Sequence, residues 1–376
     1  MESNDMRVIL IGAGGFGQVA WDLSHASIGA RVVAAVDTNS AALSAARAAI
    51  GLDGSAIFSD LHEALETVEA DVLVDCTPPE FHAMNALAAF HHGLHVFTAK
   101  PMAASWEDAV RMVQAAEEAS LVLGVNEQLR FGWLPLAVAH VLQIGQIGTL
   151  ESVQVSFREP SAWSGWRAAM EHPLLLDGAI QHFDMVRAVT GLDVESVFCR
   201  TWKRERSSLK GFGSAAAVFE LSGGIPFSYV GSWDVTSEAA DCTGWWGEWR
   251  IQGSVSELRA AGRTGLWIGG VRSPVTVEPL DVKRLSLIVF DQFLRAIREG
   301  APMATDGVAD LKTFNMTEMC IRSASIGARV HISDLKPPIS DSMPAPTDEV
   351  EVEPPMEHAG EEPVGPADGT KVVGMC

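Results

Sequence analysis

The sequence predicts an α/β protein in three parts: a doubly wound parallel sheet over residues 1–125, an α+β domain on an antiparallel or mixed sheet over 126–335, and an acidic tail over 336–376. Three observations carry that division. In the first part short apolar runs alternate with helical periodicity, the rhythm of strand–helix–strand crossovers. After about Gly148 strands follow one another through turns with few helices, which is the pattern of antiparallel pairing. From Lys336 the chain holds nine Asp or Glu, two Lys and eight Pro. Such a segment buries too little apolar surface to offset the entropy of ordering, so it is expected to be disordered.

Residues 8–11, 31–36, 72–74, 95–98 and 121–125 read as buried strands, because each is a short apolar run bounded by turn residues. Residues 16–27, 81–91 and 106–119 read as the intervening helices. In the second half 151–157 alternates, with Val153, Val155 and Phe157 on one face. Residues 194–202, 215–221, 225–233 and 249–253 read as further strands, and Trp249 as ordinary core. Helices are expected over 176–189, 285–298 and 311–325, the last packing back on the first domain.

Composition excludes several classes of partner. The net charge is −21, with 27 Lys+Arg against 48 Asp+Glu, so no basic surface is available for nucleic acid or an anionic membrane. No apolar run approaches the length of a membrane span. The first residues are polar and acidic, unlike a secretory signal. The five cysteines are widely spaced, which argues against a disulfide framework or a zinc site and for a cytoplasmic protein. His91, His92 and His95 read as the solvated end of a helix rather than a metal site, so no metal is expected.

The chemistry begins at Gly12-Ala13-Gly14-Gly15-Phe16-Gly17, a G-x-G-x-x-G run between a strand and a helix. Gly12 permits the tight turn, Gly14 lets backbone approach a pyrophosphate, and Gly17 lets helix and strand pack closely. Asp37 lies twenty residues past Gly17, at the end of the second strand. There its carboxylate can accept from ribose hydroxyls and would repel a 2′-phosphate, which favours NAD over NADP as cofactor. Thr77-Pro78 with His82 follows the next strand, where ligands of open parallel sheets bind.

Together with Lys100-Pro101, Asn126, Arg130-Phe131, Ile147-Gly148, the helix Leu176-Asp177-Gly178-Ala179-Ile180-Gln181-His182-Phe183-Asp184 and the segment from Phe293 to Gly300, these residues resemble the Gfo/Idh/MocA family (glucose–fructose oxidoreductase, inositol dehydrogenase and rhizopine catabolism). The resemblance spans about residues 6–335. It implies a Rossmann domain, a second domain with a large open sheet used for dimer contacts, a homo-oligomer (dimer or tetramer), and nicotinamide-dependent chemistry on a sugar, glycoside or cyclitol. Thr77, Pro78, His82, Lys100 and Asn126 are then expected at the cofactor, and Lys100, Arg130, Asp177 and Gln181 at the substrate. Two positions depart from the pattern: Ala99 replaces the Glu before Lys-Pro, and Gln181 stands where the family carries a His or Tyr for proton transfer.

Lys100, Asp177 and Gln181 are the expected catalytic group. Burial beside a cationic ring would favour the neutral, proton-accepting form of Lys100. Asp177 and Gln181 share a helix face four residues apart, but Gln cannot titrate. His182 points about 100° away on an ideal helix, so its replacement should do little. Trp166, Arg167 and Trp245 are expected to line the substrate, since aromatic faces stack on the C–H faces of sugar rings. A nucleotide-binding sensor on the same fold is the alternative that Gln181 keeps open.

Overall fold

The computed structural model describes residues 5–18, 29–160, 163–236, 244–261, 265–274 and 279–335. The expected helix over 16–27, apart from its first turn, and the whole tail lie outside the described residues. The first sheet has six strands: β1 (Met6–Ile11), β2 (Ala30–Val36), β3 (Ile57–Phe58), β4 (Val72–Asp75), β5 (His95–Ala99) and β6 (Leu123–Asn126). They are ordered β3-β2-β1-β4-β5-β6 and every pairing is parallel. The order reverses at β1 and β4, and the glycine turn leaves β1 at that switch point, where such sheets open a crevice.

Helices α1 (Ser40–Ile50), α2 (Leu61–Thr67), α3 (Pro79–His91) and α4 (Trp106–Ala119) connect these strands. Their starts follow local chemistry: Asn39, Asp60 and Ser105 each cap a helix by accepting from backbone N–H groups of the first turn. Helix α5 (Trp133–Gln143) then leads into the second half.

Among the described residues the second sheet has nine strands. They are β7 (Leu150–Arg158), β8 (Val194–Trp202), β9 (Ser214–Leu221), β10 (Ile225–Ser232), β11 (Glu248–Gly253), β12 (Glu257–Ala261), β13 (Gly265–Ile268), β14 (Val271–Arg272) and β15 (Val330–His331). Their order is β14-β13-β12-β11-β7-β10-β9-β8-β15. Only β7 and β10 pair in parallel; the other pairings are antiparallel. The alternation expected from the sequence holds: Val153, Val155 and Phe157 are buried, with Phe219, Phe227, Tyr229, Trp249 and Ile251 in the same core. Helix α6 (Gly165–Ala169), a π turn (Leu174–Ala179) and α7 (Ile180–Thr190) follow β7.

The last helices, α8 (Val282–Glu299) and α9 (Gly307–Ile326), return to the first sheet. Trp106 Nε1 in α4 donates to Asn315 Oδ1 in α9 at 2.7 Å, as expected of a helix packing back. The structure adds α8, whose Val289, Phe290, Phe293 and Leu294 cover Val8, Leu10, Val74 and Phe97 of the parallel sheet. A strongly amphipathic sequence explains this: apolar residues recur at helical spacing and face the sheet. Both sheets thus share one compact body, and no described helix is long and apolar enough to cross a membrane.

Candidate active site

The C-terminal ends of the parallel strands gather the sequence-expected residues. At the end of β1, Gly12 has φ +82°. A Cβ there would lie 2.6 Å from the Cys76 carbonyl carbon, and one at Gly17 would lie 1.9 Å from the Gly12 oxygen. Neither position admits a side chain, so the turn must be glycine for steric reasons. Asp37, at the end of β2, is clasped against this turn. Its Oδ2 accepts from Ala13 and Gly14 N–H at 2.8 and 3.3 Å, and its Oδ1 from Asn39 N–H at 2.8 Å. A fixed negative charge therefore borders the turn.

Asp75, which the sequence reading missed, organises the turn after β4. It is buried and accepts from the Thr77 N–H and hydroxyl at 2.9 and 2.6 Å and from Asn85 Nδ2 at 2.9 Å. His82 is buried with both ring nitrogens facing backbone carbonyls: Nε2 is 2.8 Å from Thr77 O, and Nδ1 is 3.1 and 3.2 Å from Pro101 and Met102 O. It therefore ties the Thr77-Pro78 turn to the Lys100-Pro101 turn. Asn126 is also buried, donating from Nδ2 to Ser286 Oγ at 3.1 Å.

Lys100, Asp177 and Arg167 come together although they are far apart in sequence. Lys100 Nζ donates to the Asp177 backbone carbonyl at 2.6 Å and to its Oδ1 at 2.5 Å. Arg167 Nε donates to the other oxygen, Oδ2, at 2.8 Å. Asp177 is only 1% exposed. Burial alone would raise its pKa, but the two cations outweigh that and hold the carboxyl below the usual range. Asp177 sits in the π turn, the kind of local helix opening found at functional sites.

Aromatic rings flank this group. The Arg167 guanidinium lies 4.2 Å from the Trp166 ring centroid and 5.1 Å from that of Trp163. Trp163, Trp233 and Trp245 pack on one another with centroids 5.5 to 6.1 Å apart. Trp166, Arg167 and Trp245 thus belong to one wall beside Asp177.

Gln181 is 3% exposed, on the first turn of α7 beyond the π turn. His182 is fully buried, and here an expectation is corrected. Its Nε2 lies 3.0 Å from the Trp245 carbonyl and its Nδ1 3.2 Å from the hydroxyl of Tyr229, the single tyrosine of the chain. Burial pushes its pKa down to about 4. The neutral ring therefore donates to Trp245 and accepts from Tyr229, so its removal would loosen the aromatic wall rather than do little.

Arg130 is engaged by an acid of α7. Its Nε lies 3.0 Å from Asp184 Oδ2, and its Nη1 donates to the Ala304 carbonyl. It belongs to a buried charge cluster with Glu127, Asp184, Arg187 and Asp310. Thr313 donates to Asp184 at 3.2 Å and accepts from Arg187 Nη1 at 2.8 Å. Burial first, then the Asp184 charge, push Asp310 up to about 8; burial also raises Asp184. Among the described residues no group of His, Cys, Asp and Glu is placed to hold a metal ion.

Asp310 makes a pH prediction. With a folded value of about 8 against the ordinary carboxyl value of 3.8, the native protein holds a proton that the unfolded chain has released between those values. Its contribution to stability therefore falls as pH rises through that window. Asp310→Asn should make this slope shallower, read by urea unfolding across the window. An unchanged slope would contradict the assignment.

Comparison with known proteins completes the site. A family model described as an oxidoreductase family with an NAD-binding Rossmann fold matches residues 6–127, and the GFO/IDH/MocA C-terminal domain model matches residues 136–258. The uncharacterized protein y4oX of Sinorhizobium fredii is 27% identical over 87% of this chain and 96% of its own length. Inositol 2-dehydrogenase of an Arthrobacter species is 29% identical over 55% of this chain, a match spanning 60% of that enzyme. The WlbA dehydrogenase of Bordetella pertussis, solved in complex with NADH and UDP-GlcNAcA, is similar with a TM-score of 0.74 and 26% identity, over 87% of this chain and 98% of its own. With the glycine turn, Lys100 and Asp177 in place, the chain belongs to the Gfo/Idh/MocA family of NAD-binding oxidoreductases.

Proposed function

We propose that this protein transfers a hydride between NAD and a secondary hydroxyl or ketone of a sugar, glycoside or cyclitol. The observation that carries the reading is Lys100 Nζ fixed by Asp177 at the strand ends that also hold the glycine turn. The Gly12 and Gly17 positions, which exclude any Cβ, fit the cradle a dinucleotide pyrophosphate needs. Bound there, the nicotinamide would supply the hydride chemistry. Lys100 then serves the oxygen of the reacting carbon, giving or taking its proton. Asp177 and Arg167 keep the ammonium in register, and Gln181 hydrogen-bonds a hydroxyl. The wall of Trp166 and Trp245 stacks on the C–H face of a ring substrate. The inositol dehydrogenases and WlbA among its relatives support that substrate class.

Two further features accompany this reading. Phe198, Trp202, Val218 and Val230 stand exposed on the outer face of the second sheet, on adjacent strands, and support a homo-oligomer through that face. Free Cys76, Cys199 and Cys320 support a reducing, cytoplasmic setting.

The test is a screen of sugars and cyclitols with NAD, following the reduced cofactor, with Lys100→Met beside the wild type. Turnover of the best substrate should fall by about 10²–10⁴-fold while NAD still binds. Unchanged turnover in Lys100→Met would sink the assignment.

Asp37 gives a second test. Its carboxylate beside the glycine turn should make NAD bind more tightly than NADP, and Asp37→Ala should narrow the difference. Calorimetry showing NADP equal or better with the wild type would overturn the preference.

A further inference from the structure

Arg167 has donors that the reading above leaves unused. Its Nε is engaged by Asp177 Oδ2 at 2.8 Å. Among the described residues neither Nη group donates a hydrogen bond, and the side chain is 31% exposed. A guanidinium carries five N–H donors in a fixed fork, so the edge formed by the two Nη groups is open. An ordinary surface arginine must give up rotamer freedom to grip a ligand, but this one is already pinned. The buried Asp177 carboxylate holds Nε, and the guanidinium carbon lies 4.2 Å from the Trp166 ring centroid and 5.1 Å from that of Trp163. Lys100 and Arg167 share this one carboxylate, and among the described residues neither pairs with a second acid. The trio therefore carries one surplus positive charge. The two cations hold opposite oxygens of the same group. Lys100 Nζ and Arg167 Nε are thus no further apart than contacts of 2.5 and 2.8 Å and the width of a carboxyl group. That is the reach of one substituted sugar ring. A neutral sugar seated there would displace water from the fork and leave charged donors unpaired, which is costly.

We propose that the substrate is a sugar acid, whose carboxylate accepts two hydrogen bonds from the Nη edge of Arg167 while Lys100 meets the hydroxyl or ketone that reacts. The proposal rests on the hydride-transfer reading and narrows its substrate class. Charge and shape both favour a carboxylate: its single charge matches the surplus of the trio, and its planar pair of oxygens matches the fork. A phosphate monoester carries nearly two charges, more than that surplus. In oxidation the carbinol carbon loses a hydride to NAD and its hydroxyl loses a proton to the neutral amine of Lys100, leaving a ketone. The carboxylate changes no bond; it fixes which carbon of the ring faces Lys100. Arg167 exchanges no proton at any working pH, so it sets specificity rather than the chemical step.

The test uses the full-length protein with NAD and sets each acid against its uncharged amide: D-glucuronate, D-galacturonate and D-gluconate, with neutral sugars, cyclitols and a hexose phosphate alongside. The best substrate should be an acid, with kcat/KM at least about tenfold above that of its amide, carried mainly by KM. Arg167→Gln, which loses both charge and fork, should bring the acid-to-amide ratio close to one. Arg167→Lys, which keeps a cation for Asp177, should fall between. A merely structural role would lower both members of a pair together and leave the ratio as in the wild type. A neutral sugar, an amide or the phosphate as best substrate overturns the proposal while the hydride-transfer reading stands. So does a ratio that both variants retain. Calorimetry on the protein loaded with NADH separates the two readings. Turnover of no compound at all overturns the hydride-transfer reading, yet the wild type should still bind an acid at least about tenfold more tightly than its amide. Equal affinities, or binding of neither, overturn the carboxylate site.

Discussion

A single buried carboxylate, Asp177, joins the two halves of this protein at its site. One oxygen takes Lys100 from the end of a parallel strand at 2.5 Å, and the other takes Arg167 from beyond β7 at 2.8 Å. A carboxylate that is 1% exposed persists as an ion only with such partners, so the geometry of the three groups is mutually enforced. The rest of the site is arranged around this junction. His82 holds the turn that carries Lys100, through the Pro101 and Met102 carbonyls. Trp163 and Trp166 hold the Arg167 guanidinium from its faces. His182 anchors the segment that brings Trp245 to the same wall.

Much of this was legible in the sequence because it is local. The glycine turn, Asp37 and the Lys100-Pro101 turn each sit where an apolar run ends, and strand ends are readable from hydrophobic patterning. Asp177 and Gln181 were legible through the resemblance to the family's D-x-x-x-H helix. Long strands, such as the alternating β7 and the nine-residue β8, were also evident. The two-residue strands β3, β14 and β15 were not, because so short an element exists only through the neighbour it pairs with. Helix α5 did carry a signal: Leu134, Ala137, Val138 and Val141 recur at helical spacing and are buried.

The parts that stayed hidden are long-range. Arg130 is expected at the substrate through the family resemblance, and nothing in the sequence signals the ion pair it makes with Asp184 of α7. Glu127, Asp184 and Asp310 come from three separate elements, and no spacing rule connects them. His182 read as inert because helix geometry points it away from Asp177. Its ring in fact meets Tyr229 and Trp245, contacts that only the packing of α7 on the second sheet supplies. The acidic net charge of −21 likewise disclosed nothing of a buried acidic cluster. Surface and interior charge obey different constraints: one sets solubility, the other protonation.

The central claim is that Lys100 and Asp177 act as one buried unit. A double-mutant cycle of Lys100→Met and Asp177→Asn, read by urea unfolding, tests it most directly. Each single replacement should cost about 3–5 kcal/mol, since it breaks a buried ion pair. The double replacement should cost clearly less than the two together. Additive costs would show that the two groups stand independently, and would contradict the account.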